Sequence, residues 1–330
     1  MAVKIITEIA STHNGNIKVL EDLTYDHFRS KSDYIKYQIF KTENLLNKNE
    51  KDYKKFKKIE ISYNNWTKII NKYKKKAKII LEVFDFESYE FSKKFKKNVD
   101  LKISTSELDN FDIIEDAVKN FKKIFLNISG YDKEFIHKIL KKYFTKEFKN
   151  KLIILYGFQG FPSNPKDLRL NLFDTFQKKK INYGYSDHSI YGLSDDFLSL
   201  LPIILEKKIQ YFEKHICKNI SKKPPDYISS LELGDFSKFV KIIKKYNHLS
   251  NSNLLGNEII ENKYSQKMHK FAFSNKAIGK NKQINLSDIV YLRTSKKNGL
   301  RRSFFETKKK IFSKKFIRSN EILYKSNLDY

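Results

Sequence analysis

Short apolar runs rich in β-branched residues alternate with helix-like segments through the first two thirds of the chain. Eight such runs predict strands, at residues 3–9, 34–38, 78–84, 99–104, 123–128, 152–157, 181–185 and 209–215. Apolar residues at helical spacing predict helices between most of these strands, for example at 17–30, 86–97, 111–120, 132–142 and 193–207. This alternation predicts an α/β fold, a parallel (β/α)8 TIM barrel. An open doubly wound sheet is the alternative, but no Gly-x-Gly-x-x-Gly follows any predicted strand, so a dinucleotide-binding fold has no support.

The predicted strands end in polar and charged residues, and in a barrel of this type the chemistry takes place at the carboxyl ends of the strands. Such side chains are costly to bury without partners, so packing alone does not explain the whole set. The set comprises Glu8, Lys36, Gln38, Asp85, Lys102, Thr105, Glu107, Asn127, Ser129, Gln159, Ser186, Asp187, His188, Glu213, Lys214 and His215.

Two of these strand ends carry histidines, His188 and His215, which are separated by 27 residues. This separation is about the length of one strand–helix–strand unit, and neighbouring parallel strands lie about 5 Å apart. We therefore expect the two imidazoles to converge on one divalent ion and to leave coordination positions open for a substrate oxygen. Two separate histidines with structural roles are the alternative.

The charge of the chain limits the classes of partner. The 330 residues carry a formal net charge of +28, but the lysines are spread along the whole sequence in short runs. This distribution argues against a nucleic-acid-binding stripe, and a binder of nucleic acid or acidic polymers is the less favoured alternative. A positive field does favour the approach of anionic small molecules. The single cysteine, the lack of a signal-peptide pattern and the lack of a long apolar run predict a cytoplasmic protein without a membrane span.

Composition changes after the last predicted strand. We predict a barrel domain at 1–246, which ends with a helix at 233–246, then a polar linker at 247–263 and a small basic module at 264–330. Within the module, residues 273–288 weakly resemble residues 311–327. A repeat this short predicts a compact, pseudo-symmetric β-rich fold.

Six segments, in order along the chain, resemble motifs of the sialic acid synthases and their relatives that make legionaminic and pseudaminic acids. The segments are EIASTHNG at 8–15, IKYQ at 35–38, KISTSE at 102–107, GYSDHS at 184–189, FEKH at 212–215 and YISSLE at 227–232. Each lies at a predicted strand end or just beyond one. The C-terminal module resembles the antifreeze-protein-like (SAF) domain of the same enzymes, with YLR at 291–293 in place of their Val-Lys-Arg.

The resemblance implies an enzyme that condenses phosphoenolpyruvate with an open-chain N-acylated mannosamine-type aldehyde, releasing phosphate and forming a nine-carbon 2-keto acid. It implies catalytic roles for Glu8, Lys36, Lys102 and Glu107. Phosphoenolpyruvate is expected to contact Lys36, Gln38, Lys102, Thr105, Asn127, Ser129 and Ser186, since an anionic substrate requires fixed positive charge and hydrogen-bond donors. The sugar is expected to contact Gln159, Phe161, Asp226 and Arg293.

The resemblance further implies Mn²⁺ on His188 and His215, although imidazoles alone also accept Zn²⁺, Co²⁺ or Ni²⁺. It implies a domain-swapped homodimer in which Arg293 reaches the sugar in the partner's barrel. From the residues alone, a solvated side chain is the alternative for Arg293, and the ion-pair partner of a lysine is the alternative for each carboxylate. A different metal-dependent barrel aldolase or lyase is the alternative activity.

Three segments depart from the family pattern. They are NISG at 127–130, on the phosphate side, and YGFQGFP at 156–162 and KPPD at 223–226, on the sugar side. The last two differences leave the identity of the sugar open.

Overall fold

Eight parallel strands close into a barrel in the first part of the chain. They are β1 (Lys4–Glu8), β2 (Tyr34–Ile39), β3 (Ile79–Val83), β4 (Val99–Ile103), β5 (Ile124–Asn127), β6 (Leu152–Tyr156), β7 (Asn182–Asp187) and β8 (Tyr211–Ile216). Each strand pairs with the next in sequence, and β8 pairs with β1. The closed ring confirms the predicted TIM barrel and rules out the open sheet. A two-residue strand, β9 (Ser230–Leu231), adds to β8 in parallel.

The computed structural model describes residues 2–145, 148–190, 192–251, 258–308 and 310–330. The chain divides into two compact units, Met1–Ser252 and Asn253–Tyr330. Within the segment predicted as a linker, residues 247–251 continue the preceding helix and residues 258–263 begin another one. Residues 252–257 lie outside the described residues. Within the described ranges, no helix combines the length and apolar character needed to cross a membrane.

Helices on the outside of the barrel connect the strands. They are α1 (Ile17–Ser30), α2 (Thr42–Leu45), α3 (Tyr53–Ile59), α4 (Tyr63–Tyr73), α5 (Phe86–Lys93), α6 (Phe111–Asn120), α7 (Lys133–Tyr143), α8 (Leu172–Lys178), α9 (Asp195–Glu206) and α10 (Leu233–Asn251). Side-chain caps begin several of them, as where Asn16 accepts from the backbone N–H groups of Lys18 and Val19. Apolar faces such as Leu20 and Leu23 of α1 are fully buried.

The barrel interior is built in layers because residues two apart on a strand face the same side. An apolar layer contains Ile6, Tyr34, Ile80, Phe125, Ile153, Leu155 and Tyr211. Below it, at the amino ends of the strands, the ammonium groups of Lys78 and Lys123 each lie 5.5 Å from the centre of the Tyr34 ring. Two residues beyond the apolar positions, toward the carboxyl ends, the strands carry charges. We call these five buried side chains the ionic layer: Glu8, Lys36, Glu82, Lys102 and Glu213.

The second unit is small and β-rich. It contains α11 (Glu258–Met268), β10 (Lys270–Ser274), β11 (Ile289–Arg293), α12 (Arg302–Glu306), β12 (Phe312–Ser313) and β13 (Leu328–Asp329). Two antiparallel pairs form, β10 with β11 and β12 with β13. The two halves of the predicted repeat pair with each other, since Ile278 and Ile317 exchange backbone hydrogen bonds of 2.8 and 2.9 Å. Both isoleucines lie in the core of this unit.

Candidate active site

A cavity of about 440 Å³ opens at the carboxyl ends of the barrel strands. We call it the cup. Most of the predicted site residues line it, namely Glu8, Lys36, Gln38, Lys102, Thr105, Asn127, Gln159, Phe161, His188, His215 and Asp226. Ser11, Glu82, Ser104, Ser106 and Glu213 contribute to the same wall. A single cavity therefore collects residues from β1 to β5 and β8 and from the segments after β1, β4, β6, β7 and β8.

The ionic layer forms the floor of the cup. Lys36 pairs with Glu8, with Glu82 at 2.5 Å and with Glu213 at 3.2 Å. Lys102 pairs with two of these three acids, with Glu213 at 2.8 Å and with Glu82 at 3.2 Å. Strand register produces these contacts, because Glu8 is opposite Lys36 and Glu82 is opposite Lys102. Buried charges are stable only when they are paired, so the layer holds its members in one arrangement.

The electrostatics of the layer follow from burial and from the opposed charges. Burial lowers the pKa of Lys36 to about 8, although Glu213 and Glu82 oppose the shift. Burial also disfavours the charged forms of Glu82 and Glu213, but Lys102 and Lys36 hold the pKa of both carboxyls below the usual value. Three carboxylates face two ammonium groups, so the layer carries one net negative charge when all five groups are ionised.

Two imidazoles lie above this floor on neighbouring strands. The rings of His188 and His215 have centroids 5.4 Å apart, at an angle of 52°. The Nδ1 atom of His188 lies 3.1 Å from the carbonyl oxygen of Phe158, which it can reach only as a donor. Burial lowers the pKa of His188 to about 4 and lowers that of His215 well below its ordinary value. Both imidazoles are therefore neutral near pH 7 and have lone pairs available for a metal.

The residues present fit a divalent ion held by two histidines. The Nδ1 atom of His215 is buried and has no partner in the described part of the structure. A buried, unpaired nitrogen beside a second neutral imidazole is the chemistry of a ligand pair. The described residues contain no group of three or more histidine, cysteine, aspartate or glutamate side chains placed to hold a metal. The remaining coordination positions would come from water or substrate.

Candidate hydrogen-bond donors come from the ends of β4, β5 and β7, and those of Thr105 and Asn127 lie in the cup wall. The Thr105 and Ser186 hydroxyls are buried without partners among the described residues. The amide oxygen of Asn127 accepts from the Ser129 hydroxyl at 2.6 Å, which orients the Asn127 amide at the cavity wall. Ser129 also accepts from the backbone N–H of Gly157 at 3.2 Å. Ser129 thus braces Asn127, while neither Ser129 nor Ser186 belongs to the cavity wall.

Two further residues with predicted roles are Glu107, which is not part of the cup wall, and Arg293, which belongs to the second unit. Glu107 follows β4 in a 3₁₀ turn, where its carboxylate accepts from the Asn110 amide at 3.0 Å and where burial raises its pKa. Arg293 is the exposed last residue of β11 in the second unit. Their assigned roles stay predictions.

Two predicted strand-end residues pair with each other instead of joining the cup. Lys214 and Asp187 form a fully buried ion pair. The ammonium group of Lys214 lies 5.2 Å from the centre of the Phe197 ring of α9. Because residues alternate along β8, Lys214 faces the outer helix while Glu213 and His215 face the interior.

Sequence reasoning missed Glu82, which contacts both lysines of the floor. The signal was present, since Glu82 interrupts the apolar strand 79–83 and lies two residues after the inward-facing Ile80. A carboxylate in a strand that is otherwise wholly apolar indicates a buried partner of opposite charge.

The fold and the cup identify the class of protein. It is a TIM-barrel protein with an enzyme-like site at the carboxyl ends of its strands. The profile of the NeuB family matches residues 25–254, and the chain belongs to the NeuB family.

The N,N'-diacetyllegionaminic acid synthase of Legionella pneumophila is 22% identical over 268 residues, which cover 74% of this chain and 72% of that protein. Two solved structures share the fold. The N-acetylneuraminic acid (sialic acid) synthetase of Leptospira borgpetersenii has a TM-score of 0.69 at 21% identity, covering 81% of this chain and 93% of that one. The spore coat polysaccharide biosynthesis protein of Bacillus subtilis has a TM-score of 0.64 at 17% identity, covering 100% and 96%.

Proposed function

We propose that this protein is a nonulosonic acid synthase that condenses phosphoenolpyruvate with the open-chain form of an N-acylated mannosamine-type hexose. The products are a nine-carbon 2-keto acid and inorganic phosphate. Membership of the NeuB family and the likeness to a legionaminic acid synthase support the class of reaction. The observation that carries the proposal is the cup itself, in which two buried ammonium groups and two neutral imidazoles share one cavity.

Anion binding is the role proposed for the lysines. Lys36 and Lys102 are fixed in place by the carboxylates around them, so they need little reorganisation when an anion enters. The unpartnered Thr105 hydroxyl and the amides of Gln38 and Asn127 in the cup wall supply neutral donors to phosphate or carboxylate oxygens. Ser186, whose hydroxyl is also unpartnered, is proposed to join them when substrate binds.

Carbon–carbon bond formation needs an electrophilic aldehyde and a place for the displaced charge. The enol carbon C3 of phosphoenolpyruvate attacks the aldehyde carbon, and the carbonyl electron pair moves to the aldehyde oxygen, which then takes a proton. Water adds at C2 and loss of phosphate leaves the keto group. His188 and His215 would hold the divalent ion, proposed as Mn²⁺, which supplies Lewis acidity to a substrate oxygen when bound.

A carboxylate is required to accept the proton of the attacking water. Glu8 is the predicted acid that lies in the cup, where one of its oxygens accepts from the backbone N–H of Ala10 at 2.5 Å and the other pairs with Lys36. This double contact fixes the carboxylate at the floor. Glu107 is proposed as the second acid and would have to approach the cup when substrate binds.

The sugar side is proposed to include Gln159, Phe161 and Asp226. Phe161 packs its ring against His188 with centroids 4.8 Å apart. The Asp226 carboxylate accepts from the backbone N–H of Ser11 at 3.0 Å. Arg293 is proposed to complete this side from a second copy of the chain in a domain-swapped homodimer.

The test is incubation with phosphoenolpyruvate, Mn²⁺ and a panel of N-acylated hexosamines, with inorganic phosphate and product mass as readouts. We expect phosphate release that depends on the sugar, together with a product containing all the carbon of both substrates. Carbon–carbon bond formation without phosphate release would identify an aldolase instead. Folded, metal-loaded protein that releases no phosphate with any sugar would contradict the proposal.

A further inference from the structure

A second cavity, of about 620 Å³, opens at the barrel mouth beside the cup. Phe161 and Asp226 line both cavities. These two residues lie on the side of the cup proposed for the sugar. A molecule that extends from the imidazoles past them therefore enters the second cavity.

The second cavity is strongly basic. Lys54, Lys55, Lys58 and Lys223 line it, and among the described residues of its wall Asp226 is the one carboxylate. One oxygen of that carboxylate already accepts from the backbone N–H of Ser11. Four lysines thus line a concave surface that contains little opposing charge. We call this the lysine pocket.

The lysines of this pocket form no close ion pair among the described residues, and the opposing charge that acts on them is Asp226, whose pKa Lys55 works to lower against the effect of burial. None of the four takes part in the ion pairs of the described structure, and all four side chains are exposed. Lys57, in the same helix, behaves differently and pairs with Glu43 at 2.9 Å and with Glu60 at 3.1 Å. Helix α3 therefore carries both kinds of lysine. Lys57 is in ion pairs, whereas the lysines that line the cavity are not.

The elements that form the lysine pocket are held together at the barrel mouth. Helix α3 contributes Lys54, Lys55 and Lys58, and the segment after β8 contributes Lys223. The turn between β1 and α1 packs against α3 so closely that a Cβ atom on Gly15 would lie 2.1 Å from the carbonyl oxygen of Lys58. Gly15 also has a φ of +76°, which glycine adopts without strain. The position of α3 relative to the cup is therefore set by backbone packing.

We infer that the hexose substrate carries an anionic group, a phosphate or a carboxylate, at the end remote from its aldehyde, and that the lysine pocket binds this group. The inference rests on the proposed function, because it assumes that the aldehyde lies at the imidazoles. The Phe161 ring contacts His188 and also lines the lysine pocket, so one aromatic side chain spans the distance between the reacting end and the basic end. A neutral sugar would leave the ammonium groups unmatched, whereas an anionic one supplies their counter-charge.

Binding distinguishes charged from neutral sugars without any need for turnover. We would titrate the full-length protein calorimetrically with N-acetylmannosamine, its 6-phosphate and the corresponding 6-uronic acid, at low and at physiological ionic strength. We expect the anionic sugars to bind about tenfold more tightly than the neutral one, with the advantage shrinking as salt is added. Preference for the phosphate over the carboxylate, or the reverse, identifies the group.

Charge-removing variants test whether the lysine pocket is responsible. The triple substitution Lys54→Gln, Lys55→Gln and Lys58→Gln should weaken binding of the preferred anionic sugar about tenfold, since each exposed charge pair is worth about a factor of two. Affinity for the neutral sugar should not change. Lys57→Gln is the control, since it removes one lysine charge from the same helix outside the pocket. Thermal unfolding of all variants shows whether the fold is kept.

The outcomes separate this inference from the proposed function. If all three sugars bind equally, if neither anionic sugar binds, or if Lys57→Gln weakens binding as much as the triple variant, the inference is wrong. If a neutral sugar is condensed with phosphate release as efficiently as the anionic ones, the inference falls while the proposed function stands. If an anionic sugar binds but no sugar is condensed, the proposed function falls, and with it the assignment of the bound anion as substrate.

Discussion

At the scale of single residues, the ionic layer combines two requirements that conflict. Lys36 and Lys102 must remain charged inside the barrel, so they need carboxylate partners. An anionic substrate, however, binds to these lysines most tightly when no carboxylate already neutralises their positive charge. Like Glu213, Glu82 contacts both lysines, so this conflict falls directly on it. Its carboxylate competes with any anion that approaches them.

Substitution Glu82→Gln should tighten the binding of phosphoenolpyruvate or inorganic phosphate by about tenfold, because it removes one negative charge from a site of low dielectric. It should also lower the free energy of unfolding by about 1–3 kcal/mol, since Lys36 loses a short ion pair but keeps Glu8 and Glu213. Calorimetric titration and urea unfolding measure the two effects. Glu43→Gln, an exposed partner of Lys57, is the control. Weaker anion binding would show instead that Glu82 is needed to position the lysines.

The paired imidazoles give a second prediction at this scale. Either His188→Ala or His215→Ala should weaken Mn²⁺ binding by more than about 100-fold, because the described site offers only two imidazoles to the ion. Electron paramagnetic resonance of free Mn²⁺ measures this affinity without substrate. His137→Ala, on the exposed face of α7, should leave it unchanged. Unaltered affinity in both active-site variants would place the metal elsewhere.

At the scale of secondary structure elements, α1 is attached to β1 through a buried histidine. The Nδ1 atom of His27 lies 3.1 Å from the Thr7 hydroxyl and 2.7 Å from the Ser32 hydroxyl. Burial lowers the pKa of His27 to about 4, so the folded state holds this imidazole neutral. The unfolded chain binds its proton near pH 6.5. Between these values the unfolded state binds more protons than the folded state, and acid favours unfolding.

We therefore expect the contribution of His27 to stability to be complete above about pH 6.5 and to be lost as the pH falls toward 4, by about 3 kcal/mol in total. His27→Gln should flatten this part of the pH dependence of the unfolding free energy, even though the variant is less stable at neutral pH. Urea unfolding at several pH values measures the slope. His137→Gln, solvent-exposed in α7, is the control. An unchanged slope in His27→Gln would contradict the assignment.

Elements differ in how far the sequence predicts them. Buried parallel strands are apolar on both faces, so runs such as 3–9 and 152–157 mark β1 and β6 closely. Helices α2 and α3 gave no such signal. Two pairs of adjacent lysines occupy most of α3, and Ile59 is its one buried residue. Its position comes from packing against the turn at Gly15. The lysine pocket depends on that packing, and no local pattern predicts it.

The residues of the candidate site also differ in how far the sequence predicts them. Strand-end motifs predicted which side chains meet, since register brings neighbouring strand ends together whatever the loops do. They did not predict Glu82, which lies inside a strand. They also did not predict that the turn after β4 directs Glu107 to Asn110, outside the cup wall, and the catalytic role of Glu107 stays a prediction. Residues on loops and turns require the tertiary structure, because their directions are set by contacts distant in sequence.

At the scale of the whole molecule, each unit has its own core, and the second unit is built around a pseudo-symmetric pairing of its two halves. A unit with its own core can be exchanged between copies without loss of its internal contacts. The proposed homodimer uses this property, because it completes each cup with Arg293 from the other chain. The proposal therefore makes a prediction about subunits that no single-chain variant can test.

Mixing two inactive variants distinguishes exchange from a site completed within one chain. Arg293→Ala removes the proposed sugar contact but leaves the barrel intact, whereas His188→Ala disables the barrel but leaves Arg293 intact. In a domain-swapped heterodimer, one of the two sites combines an intact barrel with an intact arginine, so unfolding and refolding an equal mixture should restore about a quarter of the wild-type activity. If each chain completes its own site, every site in the mixture remains defective and no activity returns. Refolded wild-type protein sets the scale, and full activity in Arg293→Ala alone would show that the arginine has no part in the site.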